Sequence, residues 1–213
     1  MKKLILSSAF IISSLMLFAQ SEKYVAAMKT NIAAIGNAFK SPADLVSLAN
    51  NFERIALAEK NQWLPYYYAA LLQVNSGIIQ TDKSNGDAIA DKATSLLNKA
   101  DSLSPNNSEV SCVKSMIAVC HMLVNPMQRY MEYGQQSSTD LQDAMTQDPT
   151  NPRPYYLTGQ TLKNTPEQFG GGCKAATEQM NIALQKYATF KPASDLAPNW
   201  GMENAKKLVE ECK

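Results

Sequence analysis

One spacing recurs through this chain and restricts what it can fold into: a small residue, a large apolar residue four positions on, an alanine three further, then a proline five beyond. Ala93, Leu97, Ala100 and Pro105 form the first instance, and Ser137, Leu141, Ala144 and Pro149 repeat it 44 residues later. Ala176, Met180 and Ala183 repeat the first three steps, with Pro192 arriving late. Small residues three and four apart share one helix face and let a second helix approach closely. The large residue fills the space between helices, and the proline forbids continuation. A polar pair, Asn106-Asn107 or Thr150-Asn151, follows each early proline and precedes a new apolar block.

The rest of the chain follows the same period. Hardly any segment alternates with period two, whereas apolar residues recur at three and four in blocks separated by Pro, Gly or Asn. The blocks cover residues 24–39, 41–60, 62–80, 87–103, 108–124, 126–147, 152–163, 172–190 and 198–212. Ser41-Pro42 supplies a capping hydroxyl ahead of proline in the first helical turn. Nine helices and no strand predict an all-α fold. Apolar residues make up 45% of the chain, enough to close a core and exclude disorder. Twenty Lys and Arg against nineteen Asp and Glu give +1, which excludes a bulk electrostatic attraction to nucleic acid.

The N-terminus sets the expected compartment. Met1-Lys2-Lys3 is a short basic start, residues 4–18 are apolar with serine interruptions, and Ala19-Gln20-Ser21 offers a small-x-small cleavage site. That layout is a secretory signal. The apolar run is shorter than the ~20 residues of a spanning helix. Residues 1–21 are therefore expected to be removed, after Ala19 or after Ser21, leaving one domain over residues 22–213. Removal takes two lysines and changes the net charge from +1 to −1. No cysteine sits near the end of the apolar run, so a lipid anchor is not expected. The mature protein should be periplasmic or extracellular.

Four cysteines remain, Cys112, Cys120, Cys173 and Cys212. Cys112 and Cys120 lie on one helical block, roughly 12 Å apart along its axis at 1.5 Å per residue. A bridge requires Cα atoms within about 7 Å, so this pair should stay apart. Cys173 opens a late helix and Cys212 ends the last one. Either these two are bridged, which an exported protein allows, or all four thiols are reduced and packed as small hydrophobes.

The repeat resembles the tetratricopeptide unit, a helix pair stacked into a right-handed superhelix. Tyr155 with Gly159, and Tyr66 with Ala70, are similar to the aromatic and small residues of that family's first helix. Ser111 and Ser115 depart from the pattern. The resemblance implies an α-α superhelix of about three to four antiparallel helix pairs with a C-terminal capping helix. Leu48, Phe52 and Ile55 would belong to a degenerate N-terminal pair. Phe52-Glu-Arg-Ile-Ala56, Trp63-Leu-Pro-Tyr-Tyr-Tyr68, Phe169-Gly-Gly-Gly172 and Pro198-Asn-Trp-Gly201 are similar to small exported tetratricopeptide-like proteins of Bacteroidota. The glycine turn also resembles, more loosely, periplasmic helical-repeat components associated with solute uptake.

In that register one inner strip carries Leu64, Tyr67, Leu71, Asn75, Met116, Arg153, Tyr156 and Gln160, where the family binds peptides. Aromatic, Met and Arg side chains are the usual anchors of such contacts. Either the groove is open, or the chain fills it with a terminal helix of its own; Cys112 and Cys120 fall near the same strip. Tyr66, Tyr67 and Tyr68 span about 200° of helix arc, so they should not share one core.

Chemistry is harder to find. Gly170-Gly171-Gly172 lacks the Lys-Ser/Thr and the strand of a phosphate loop, so a packing turn is expected there. The single histidine, His121, has no orienting partner visible in sequence, and no metal-ligand spacing occurs. Asp140 with Asp143, or Glu210 with Glu211, read as solvated helix-surface carboxylates. No cofactor, metal or catalytic residue is expected. The expected function is a non-enzymatic exported module that binds a protein or peptide in its concave face. The alternative is a periplasmic accessory component that binds a small solute for an uptake or envelope-assembly system.

Overall fold

The computed structural model describes residues 22–213, so the signal segment expected over residues 1–21 lies outside the described residues. Within them the protein is all-α with no strand. The helices are α1 (Glu22–Ala38), α2 (Pro42–Ala58), α3 (Trp63–Ile79), α4 (Gly86–Leu103), α5 (Ser108–Val124), the short α6 (Pro126–Arg129), α7 (Gln135–Gln147), α8 (Arg153–Asn164), α9 (Gly172–Tyr187) and α10 (Met202–Glu211). They pack as successive pairs, α1 with α2, α3 with α4, α5 with α7, and α8 with α9, while α10 packs on α9. The first helices of neighbouring pairs also meet, α3 against α5 and α5 against α8.

Local chemistry sets the helix ends. The Ser41 hydroxyl accepts from the Asp44 amide at 3.1 Å, with Pro42 in the first turn. The Asn107 side chain caps α5 by accepting from the Glu109 amide at 2.9 Å. The repeated alanines lie where backbones come closest: Ala93, Ala100, Ala144, Ala176 and Ala183 are all fully buried. At Gly159 an added Cβ would stand 2.8 Å from Met180 Cε and 3.1 Å from the Ala176 carbonyl, so α8 and α9 touch through glycine. In the middle pair, where the aromatic and small residues are missing, hydrogen bonds join the helices. Ser111 Oγ donates to Gln147 Oε1 at 2.8 Å, and Ser115 and Ser137 share a bond of 2.9 Å.

Three expectations need correction. Tyr66, Tyr67 and Tyr68 are all buried, because α3 is enclosed by α2, α4, α5 and the C-terminal segment instead of facing one core. The block expected over residues 198–212 is helical only from Met202, since Pro198–Gly201 is irregular and Gly201 has a left-handed φ of 104°. There an added Cβ would stand 2.1 Å from the Tyr187 hydroxyl, so only glycine fits. The block over residues 126–147 is broken by a π-helical turn, Tyr130–Gly134.

Candidate functional site

Two neighbourhoods concentrate unusual side chains: the inner strip of α3, α5 and α8, and the rim where the helices of each pair turn into one another.

The inner strip is occupied by the chain itself. The segment between α9 and α10 crosses it, burying Leu196 and Pro198. Tyr68 donates to the Leu196 carbonyl at 2.9 Å, Tyr187 donates to the Trp200 carbonyl at 2.8 Å, and the Trp200 indole donates to the Tyr67 hydroxyl at 2.9 Å. Arg153 Nη2 donates to the Pro198 carbonyl. Arg153 is fully buried, with its guanidinium 4.9 Å from the Phe190 ring centre and 5.4 Å from that of Trp200. Its Nη1 reaches Glu109 Oε1 at 2.8 Å, and that carboxylate also accepts from Asn151 at 2.7 Å and from Tyr67 at 3.1 Å. Burial pushes the Glu109 carboxyl above its usual range, against the pull of Arg153. Burial likewise pushes the Tyr67 phenol well up. A buried charge persists only when paired and hydrogen-bonded, and within this cluster Arg153 and Tyr67 carry the bonds to the tail.

The eight residues expected to line a groove divide accordingly. Leu64, Tyr67, Leu71, Met116, Arg153 and Tyr156 are buried, Asn75 is half-buried and donates to the Leu71 carbonyl at 2.7 Å, and Gln160 is exposed. The cover is an irregular tail, not a terminal helix. Sequence reasoning did not find Trp200 or Glu109, since neither belongs to the repeat. Cys112 and Cys120 are free and buried, and Cys173 is joined to Cys212, tying the start of α9 to the end of α10.

The glycine turn is self-contained. Gly171 and Gly172 donate their amides to the carbonyls of Pro166 and Thr165, at 3.2 and 2.9 Å. Asp140 is buried and accepts from Gln136 at 3.1 Å, while Asp143, Glu210 and Glu211 are exposed. Burial pushes the Asp140 carboxyl up to about 6. Among the described residues no group of three or more His, Cys, Asp or Glu side chains is arranged to hold a metal ion.

The rim is different. The α3–α4 turn meets the end of α5 and α6 through a cluster centred on Asp87. Arg129 grips that carboxylate with both terminal nitrogens, at 2.6 and 3.0 Å, and His121 Nδ1 lies 2.8 Å from the same group. These bonds, Arg129 foremost, hold the Asp87 carboxyl down at about 2. Tyr133, from the π-turn, stacks on the His121 ring at 5.0 Å between centres. On the outer side of the same segment Met127 is 94% exposed, Met131 81% and Tyr130 47%. Such large apolar side chains, four and three apart on one short segment, are rarely left in water without a use. π-Turns recur at functional positions. The exposed face was readable as Met127-x-x-Tyr130-Met131 inside a polar block. The Asp87–His121 contact was not, because one repeat of sequence separates its members.

Among the described residues no helix is long and apolar enough to cross a membrane. No protein-family model and no curated protein matches this chain. A solved structure does match, the HusA haemophore from Porphyromonas gingivalis. The two are 35% identical, and the match covers 92% of this chain and 96% of that one with a TM-score of 0.80. At that identity over nearly the full length of both, the chain belongs to the HusA haemophore family.

Proposed function

We propose that this protein is an exported, non-enzymatic carrier of haem or a closely related tetrapyrrole. One observation carries the reading: end-to-end kinship with a protein described as a haemophore. The small-solute alternative therefore displaces a peptide-binding scaffold. The plugged inner strip supports the same choice, since Trp200 and Leu196 occupy the place an extended peptide would take. The cargo is taken instead at the rim beside α6, where exposed Met127, Tyr130 and Met131 supply adaptable apolar contact. We read the helix pairs as degenerate tetratricopeptide units acting as a rigid frame for that rim. The mature protein works outside the cytoplasm without a lipid anchor and hands its cargo to an uptake system.

Titration with ferric haem and with metal-free protoporphyrin IX tests this. Saturable changes in the Soret band and in tryptophan fluorescence, at one tetrapyrrole per chain, are expected. No saturable change with either compound would overturn the reading.

A further inference from the structure

Resting on that reading, we propose that Asp87 and Arg129 are positioning residues for the cargo face. Their ion pair holds residues 126–134 in the shape that turns Met127, Tyr130 and Met131 outward together.

The segment lacks any other firm anchor. No residue of Pro126–Arg129 or of the π-turn Tyr130–Gly134 is buried, whereas Cys120 and Leu141 root the helices on either side in the core. A stretch with so few buried contacts opens locally at low cost. A π-turn is also a rare backbone shape that its surroundings must maintain. Polar contacts perform that task here. Arg129 donates to both oxygens of Asp87, at 2.6 and 3.0 Å, and to the His121 carbonyl at 3.0 Å. Two parallel bonds between a guanidinium and a carboxylate fix direction as well as distance. His121 Nδ1 meets the same carboxylate at 2.8 Å, and Tyr133 lies against both the His121 ring, at 5.0 Å, and the Arg129 guanidinium, at 5.9 Å. The segment is thus gripped twice, at Arg129 before the π-turn and at Tyr133 within it.

The other half of the clasp comes from the preceding repeat. Gly86 is buried, and an added Cβ there would stand 2.7 Å from Val124 Cγ2. Its bare backbone lets the first turn of α4 rest against the end of α5, which carries Asp87 to Arg129. A flat tetrapyrrole needs the three exposed side chains at once, on one face. A binder that samples its competent shape only a tenth of the time loses about tenfold in apparent affinity. The clasp therefore raises affinity without touching the cargo, and it serves ferric haem and metal-free porphyrin alike.

The experiment measures affinity for ferric haem and metal-free protoporphyrin IX in wild type, Asp87→Asn, Arg129→Gln and the double variant, alongside hydrogen exchange of amides 126–134. Each single variant should lose about tenfold or more for both compounds equally, with faster exchange at 126–134 and unchanged helical circular dichroism. The double variant should lose little more than either single one, because the clasp can be broken only once. Arg129→Lys, which keeps the charge without the fork, should fall in between. In wild type itself, either tetrapyrrole should slow exchange at 126–134, since a clasp that favours cargo is favoured by cargo to the same degree. Full affinity in the single variants would overturn the inference, as would unaltered exchange at 126–134, losses that add in the double variant, or a loss confined to haem. Failure of wild type to bind either compound would overturn the parent reading, and this inference with it.

Discussion

Replacing Arg153 by Met removes the cation at the centre of the tail clamp while keeping an unbranched apolar stem. Three things are lost together. Glu109 loses its cationic contact at 2.8 Å, the Pro198 carbonyl loses its donor, and the guanidinium no longer sits against Phe190 and Trp200. Glu109 retains Tyr67 and Asn151, but a buried carboxylate without its cation is strongly destabilising. The expected loss is about 3–5 kcal/mol at pH 7, the range for breaking one side of a buried ion pair. Adding Glu109→Gln, which removes the stranded charge, should recover about 2 kcal/mol. The sign with pH follows from the raised Glu109 carboxyl. Without Arg153 the group escapes its penalty by taking a proton in the folded state. The variant's deficit should therefore shrink as pH falls towards the usual carboxylate range and grow as pH rises. Urea unfolding of both variants and wild type from pH 4.5 to 7.5 measures all of this. A single-variant cost below about 1 kcal/mol, or no recovery in the double variant, would refute the clamp.

Other expectations follow from separate parts of the structure. Reducing Cys173–Cys212, or replacing both with Ser, opens a loop with a sequence separation of 39 and should cost up to about 4 kcal/mol by chain entropy, read by urea melts with and without reductant. Asp140 contributes stability that is complete below its unfolded value of 3.8 and is lost as pH rises through about 6. Asp140→Asn should therefore flatten that window and, relative to wild type, gain roughly 2 kcal/mol between pH 4 and pH 7. Met127→Glu with Met131→Glu should leave the melting curve unchanged, since both side chains are exposed, and weaken tetrapyrrole binding about tenfold or more in a Soret titration.

Much of the frame was legible because close helix contact leaves a mark in sequence. Ala100 and Ala144 are fully buried where the spacing of small residues requires it, and Pro105 and Pro149 follow the ends of α4 and α7. The clamp was less legible. Trp200, Glu109 and Arg153 lie on three separate elements, and only folding brings them together. Helical phase put Tyr67 and Arg153 on one strip, and both are buried, yet phase cannot say what lies over that strip. Pro198 looked like a helix start, because proline is common in first turns; here its carbonyl accepts from Arg153 and the helix begins later. At the rim, the Asp87–His121 pair joins adjacent repeats. A motif search along one strand of sequence passes over such a pair.

The account stands most directly on where a tetrapyrrole contacts the protein. Backbone and indole NMR spectra of the isotope-labelled mature protein, titrated with diamagnetic gallium protoporphyrin IX, give that location residue by residue. Shifts concentrated at residues 86–91 and 120–134, with the Trp200 indole signal unmoved, are predicted. A large shift of the Trp200 indole with the rim silent would place the cargo under the tail and contradict the account.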